Sequence, residues 1–75
     1  MYNIESCAKR LSDNLIELRK QYGYTQKRIA EVLGITYQSY QAYENKKNLP
    51  SLPSLIMLAE LYDVSLDYLI GRKEY

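Results

Sequence analysis

Thr25-Gln26-Lys27-Arg28-Ile29-Ala30-Glu31-Val32-Leu33-Gly34-Ile35-Thr36-Tyr37-Gln38-Ser39-Tyr40-Gln41-Ala42-Tyr43-Glu44 is the stretch whose reading decides the fold. Thr25 carries the side-chain oxygen that suits a helix N-cap, and Ile29, Ala30, Val32 and Leu33 follow at helical spacing. Gly34 tolerates the left-handed backbone that closes a helix. Thr36 offers a second cap two residues later, and Tyr40 and Tyr43 are the inward residues of a second helix ending near Asn45. Two helices of about two turns each, joined by so tight a glycine turn, meet at a steep angle. Ala30 faces that turn, where a longer side chain would push the helices apart.

Outward from this pair the chain reads as three more helices. From Ser12, Leu15, Ile16 and Leu18, with Leu11 just before, recur at spacings of three and four until Gly23 ends the run. Downstream, Ser51 is a cap and Pro53 lies in a first turn where its missing N–H costs little. Leu55, Ile56, Leu58, Ala59 and Tyr62 then form a stripe expected to be buried, ending at Asp63. Ser65 caps a last short helix through Leu66, Leu69 and Ile70, stopped by Gly71. Nothing alternates with period two over a useful length, so strands are not expected. The fold class is all-α, one five-helix domain over residues 11–71 with a tail at 72–75. Residues 1–10 either extend the first helix backwards, since Ile4, Cys7 and Leu11 have helical spacing, or form a mobile arm.

Seventy-five residues suffice for one domain, which at this size buries only about 60% of the surface its unfolded chain exposes. The single cysteine, Cys7, cannot form an internal disulfide and reads as a small buried hydrophobe in preference to a redox sensor. No secretory leader pattern opens the chain, and no apolar run approaches the roughly 20 residues that cross a bilayer, so a cytoplasmic protein with no membrane partner is expected. With no histidine, one cysteine and no glycine-rich phosphate loop, neither metal ligands nor a nucleophile and base can be assembled, and no enzyme, cofactor or small-molecule ligand is expected. The net charge of +1 is unevenly spread: residues 20–50 hold five cations (Lys20, Lys27, Arg28, Lys46, Lys47) against Glu31 and Glu44, whereas residues 51–75 hold two against four anions. A positive middle third suits a polyanion.

Leu18-Arg19, Gly23-Tyr24-Thr25-Gln26, Ile29-Ala30, Leu33-Gly34-Ile35-Thr36, Tyr43-Glu44-Asn45, Pro50-Ser51-Leu52, Leu58-Ala59-Glu60 and Val64 to Gly71, at these spacings, resemble the Cro and phage-repressor (Xre-like) type of helix-turn-helix domain. The resemblance runs from Leu15 to Gly71. It implies a lambda-repressor-like five-helix fold and a DNA-binding transcriptional regulator, a repressor, whose third helix enters the major groove of double-stranded operator DNA.

By that resemblance Gln26 contacts a phosphate, and Asn45, Lys46 and Lys47 meet phosphates from the loop after helix 3. Lys27 and Arg28 add an argument of their own, because cations in a first turn oppose the helix dipole at roughly 0.3–1 kcal/mol each unless a phosphate lies nearby. With Tyr40 and Tyr43 inward, Tyr37, Gln38, Gln41 and Ala42 are left for base contacts. Gln38 can bond adenine N6 and N7 together, Ala42 offers apolar contact, and Tyr37 either packs on a thymine methyl or only positions a phosphate. Arg19 and Glu44 match a family salt bridge between helices 1 and 3. Two departures stand out. Lys46 replaces a frequent glycine, so a left-handed backbone there would be strained, and Tyr40 replaces a smaller aliphatic residue, so its hydroxyl needs water or a partner.

One such domain makes too little contact for typical specific affinities of about 10⁻⁸ to 10⁻¹¹ M. A homodimer on an inverted-repeat operator is therefore expected, through Leu66, Leu69 and Ile70 of helix 5, with Leu66 at least also closing the monomer's core. The competing reading is a protein-interaction module on the same scaffold, such as an antitoxin or adaptor.

Overall fold

A computed structural model describes residues 3–73; Met1, Tyr2, Glu74 and Tyr75, the outermost part of the predicted arm and tail, lie outside the described residues. Five helices follow in order: α1 Ile4–Tyr22, α2 Gln26–Leu33, α3 Tyr37–Glu44, α4 Leu52–Tyr62 and α5 Leu66–Leu69, with no strand among the described residues. Each starts the same way. Asn3, Thr25, Thr36, Ser51 and Ser65 have extended backbone, and each side chain accepts a hydrogen bond from the N–H three residues on.

The first helix starts well before Ser12, because the Asn3 side chain accepts from Ser6 N–H at 2.9 Å and Glu5 sits favourably in the first turn. Gly34 closes α2 at φ 70° in the left-handed region, and its N–H and that of Ile35 return to Glu31 and Ala30 carbonyls. That compact turn lets α2 cross α3 directly.

The core consists of Leu11, Leu15 and Leu18 from α1, Ile29, Ala30 and Leu33 from α2, Tyr40 from α3, Leu58, Ala59 and Tyr62 from α4, and Leu69 from α5. Every helix contributes, so none is a stable unit alone. α1 is the spine: it packs against α3 at one end and α5 at the other, while α4 packs against α5 and α2. At the α5 end the Asn14 amide donates to the Tyr68 and Leu69 carbonyls at 3.0 and 3.1 Å, satisfying the end of that one-turn helix. Gly71 follows at φ 81°, so close to Arg10 that a Cβ would lie 2.3 Å from Arg10 Cδ.

Three expectations about the interior are corrected. Ile56, expected in the buried stripe of α4, is exposed. Leu69, expected at a dimer contact, is fully buried in the protomer's own core, while Leu66, expected to help close that core, is exposed. A helix of four residues has no sequence periodicity to fix its roll; here the Asn14 clamp and the packing against α1 and α4 turn Leu69 inward. Cys7 is half-buried, neither fully inside nor presented.

Candidate nucleic-acid interface

The site is built around one carboxylate. Glu44, in the last turn of α3, is buried, and four donors converge on its two oxygens. Arg19 Nε donates to Oε2 at 2.7 Å and Nη2 to Oε1 at 3.1 Å, a bidentate pair joining α1 to α3. Tyr40 Oη donates to Oε2 at 2.5 Å, and the Gln26 amide donates to Oε1 at 2.9 Å. Arg19 has further work, since Nη1 donates to the Tyr24 carbonyl at 3.1 Å just before α2. Three helices are thus pinned at the point where α3 emerges from the body. The partner that the Tyr40 hydroxyl needs is Glu44.

This arrangement shifts the titrations. Burial pushes the Glu44 carboxyl up, but hydrogen bonds from Arg19, Tyr40 and Gln26 together outweigh it and hold the group below its usual range. Hydrogen bonding to Glu44 raises Arg19 further into its charged range. Burial, with the neighbouring Glu44 charge, raises the Tyr40 phenol well above its ordinary value. Burial likewise pushes Tyr62 up to about 12, and among the described residues its hydroxyl is the buried side-chain polar atom with no hydrogen-bond partner.

From this hub the surface residues project. Tyr37 and Gln38, at the start of α3, are exposed; Gln41 and Ala42, one turn on, are half-buried. The outward face of α3 therefore tapers, with its N-terminal end standing clear. Ser39 is exposed too, but its hydroxyl accepts from Thr36 Oγ1 at 2.9 Å, within the cap. Lys27 and Arg28 are exposed in the first turn of α2, and Arg28 lies 3.7 Å from Glu31 one turn on. Asn45, Lys46 and Lys47 are exposed after α3. Lys46 has φ 68°, and the N–H groups of Lys47 and Asn48 return to the Ala42 carbonyl at 2.9 and 3.2 Å. The Lys47 bond is the six-to-one bond of a Schellman ending, with a lysine where glycine is usual.

Gln26 differs from its expected role as a simple phosphate donor. Its Nε2 donates to Glu44, and its Oε1 accepts from the Tyr37 hydroxyl at 3.4 Å, so the amide bridges α2 to both ends of α3. A primary amide has two N–H groups, so the second can still serve an external oxygen. Arg19, Tyr24, Thr25, Gln26, Lys27 and Tyr37 line an open cleft at the α2 N-terminus. Tyr24 and Thr25 were not singled out from sequence as site residues; their position directly before α2 is the signal that could have found them.

A family model described as helix-turn-helix matches residues 15–69, which spans all of the site just described. The chain belongs to the Cro and phage-repressor type of helix-turn-helix proteins. Relatives agree. The chain is 42% identical over 64 residues to the HTH-type transcriptional regulator ImmR of Bacillus subtilis (strain 168), covering 85% of this chain and 50% of that protein. It is 46% identical over 57 residues to the uncharacterized HTH-type transcriptional regulator YobD of the same strain, covering 76% of this chain and 51% of YobD. A crystal structure of a transcriptional regulator from Listeria innocua superposes with TM-score 0.78 at 31% identity, over 81% of this chain and 57% of that one. The chain spans about half the length of the curated relatives it matches. As a helix-turn-helix protein it has its turn at Gly34, and no helix among its described residues is long and apolar enough to cross a membrane.

Proposed function

We propose that this helix-turn-helix protein binds double-stranded DNA sequence-specifically and acts as a transcriptional repressor, laying α3 in the major groove. The observation that carries this reading is the division of charge around α3. Its outward side chains are neutral amides and a phenol, and its only charge, Glu44, is consumed by Arg19. Lys27 and Arg28 flank it on the α2 side, and Asn45, Lys46 and Lys47 on the other. Neutral, bidentate-capable groups suit base edges, and flanking cations suit phosphates. In this reading Tyr37, Gln38, Gln41 and Ala42 contact bases, with Gln38 foremost, and Gln26, Lys27, Arg28, Asn45, Lys46 and Lys47 contact backbone. Arg19 and Glu44 support without reading. Two copies bind an inverted repeat with half-site centres about 34 Å apart. Of the helix 5 residues expected between copies, Leu66 and the half-buried Ile70 stay in this reading; Leu69 does not.

The test is selection of bound sites from random duplex DNA, followed by titration of the selected site with the parent and Gln38→Ala. The variant should lose about 1–3 kcal/mol at particular base pairs and keep its non-specific affinity. Equal loss on every sequence would remove Gln38 from base readout. No salt-dependent binding to any duplex would reject DNA binding and favour the protein-interaction module.

A further inference from the structure

Tyr37 is the first residue of α3 and is 40% exposed, at the end of the helix that stands clear of the body. Among the described residues its ring pairs with no other ring, whereas Tyr22, Tyr24 and Tyr62 pack together and Tyr40 packs on Tyr43. An aromatic ring is thus left in water beside the cleft that Tyr24, Gln26 and Lys27 also line. Its hydroxyl is engaged. Oη donates to Gln26 Oε1 at 3.4 Å, between residues 11 apart in the chain. The direction of that bond is set from behind: Gln26 Nε2 donates to Glu44 Oε1 at 2.9 Å, and a carboxylate only accepts, so the amide turns its oxygen toward Tyr37. Glu44 is held in turn by Arg19 and Tyr40. A phenol has one proton to donate, and here it is spent on Gln26. Phosphate oxygens only accept, so the tethered hydroxyl has no proton for the DNA backbone. With the tip of the side chain drawn back to α2, the ring is what faces outward.

Resting on the DNA-binding reading above, we propose that Tyr37 selects thymine at one position of the site under α3, its ring packing on the 5-methyl group while Gln26 holds its hydroxyl. The major-groove edges of guanine, cytosine and adenine present hydrogen-bonding atoms, and the C5-methyl of thymine is the apolar group among them. An aromatic ring whose donor is already engaged recognises that methyl better than any polar edge. The tether contributes by ordering the ring before DNA arrives, since a side chain that must be immobilised on binding costs about twofold to tenfold in affinity. This separates the two roles open to Tyr37: a free hydroxyl could position a phosphate, and this one is committed within the protein. Ala42 is the other apolar side chain on the outward face of α3, half-buried one turn on, so the test must tell the two apart.

Deoxyuridine in place of thymine keeps every base-pairing and groove hydrogen bond and removes the methyl alone. Each thymine of a site selected by the parent from random duplex DNA is replaced in turn, and every duplex is titrated with the parent, Tyr37→Ser and Tyr37→Phe. In the parent, one thymine under α3 should lose about fourfold in affinity when its methyl is removed, the value of one buried methyl group. Tyr37→Ser should bind the thymine and deoxyuridine duplexes alike at that position. Tyr37→Phe, which keeps the ring and loses the tether, should discriminate by less than about twofold. A parent insensitive to every thymine methyl overturns the proposal, and that arm needs no variant to fold. So does a methyl effect undiminished in Tyr37→Ser, which would belong to Ala42, or one undiminished in Tyr37→Phe, which would leave the tether without a part. Binding to unmodified duplex is scored first on the parent. Binding there without any methyl effect rejects thymine selection and leaves the DNA-binding reading standing, whereas no binding to any duplex rejects both.

Discussion

Replacing Glu44 by glutamine keeps the side chain's shape and removes its charge, which makes it a sharp test of the hub. Each carboxylate oxygen accepts two hydrogen bonds, from Arg19 and Tyr40 at Oε2 and from Arg19 and Gln26 at Oε1. A glutamine must put an NH₂ at one of these positions. The Tyr40 hydroxyl can rotate and the Gln26 amide can flip to accept from it, but either way an Arg19 N–H faces another N–H. Breaking a buried ion pair from one side costs about 3–5 kcal/mol, and the low end applies because Arg19 keeps an edge toward solvent. A domain of this length has a total stability of about 4–11 kcal/mol, so a loss of about 3 kcal/mol lowers Tm by about 12–24 °C. Thermal and urea unfolding followed by circular dichroism measure it, with Arg19→Gln and the double variant closing a thermodynamic cycle. The double variant should lose less than the sum of the singles. A loss below about 1 kcal/mol, the range of exposed pairs, would refute the reasoning. The pH profile is a second check. The Glu44 carboxyl is held below its usual 4.5 in the folded chain, so its contribution is complete above about pH 4.5 and drains away as pH falls through the lowered value. The Glu44→Gln variant should lack that part of the parent's acid slope.

Lys46→Gly should stabilise the protein by about 1 kcal/mol, because φ 68° is costly for lysine and free for glycine; an unchanged urea midpoint would argue against left-handed strain there. Tyr62→Phe removes an unpartnered buried hydroxyl and should be neutral or stabilising by up to about 1 kcal/mol, whereas a loss above about 1 kcal/mol would mean that the hydroxyl has a partner. In the parent, Tyr62 moves from 10 to about 12 on folding, so stability that is complete below pH 10 should fall between pH 10 and 12; an alkaline profile identical in Tyr62→Phe would contradict this. Lys27→Ala with Arg28→Ala should weaken all duplexes alike and shallow the salt slope by about 0.9 per lost phosphate contact, and an unchanged slope would take both off the backbone list.

Local chemistry was legible in the chain itself. The caps at Thr25, Thr36, Ser51 and Ser65 and the glycine stop at Gly34 depend on atoms within one turn of their own residue, so sequence order suffices to read them. Asn3 belongs to the same class, because its side chain caps Ser6 N–H within one turn and so marks the early start of α1. The pairing of Arg19 with Glu44 came from family likeness, since nothing local links residues 25 apart. Tertiary structure alone decided the rest. Gln26 reaches the Glu44 carboxylate because α2 and α3 cross at Gly34, which residue order alone does not place, whereas Tyr40, one turn before Glu44 on the same helix, is within local reach of it. Leu69 turned inward and Leu66 outward because a one-turn helix takes its roll from what it packs on. α4 left Leu52, Ile56 and Met57 in water because apolar residues lie all round it, and only the positions of its neighbours select which side is covered.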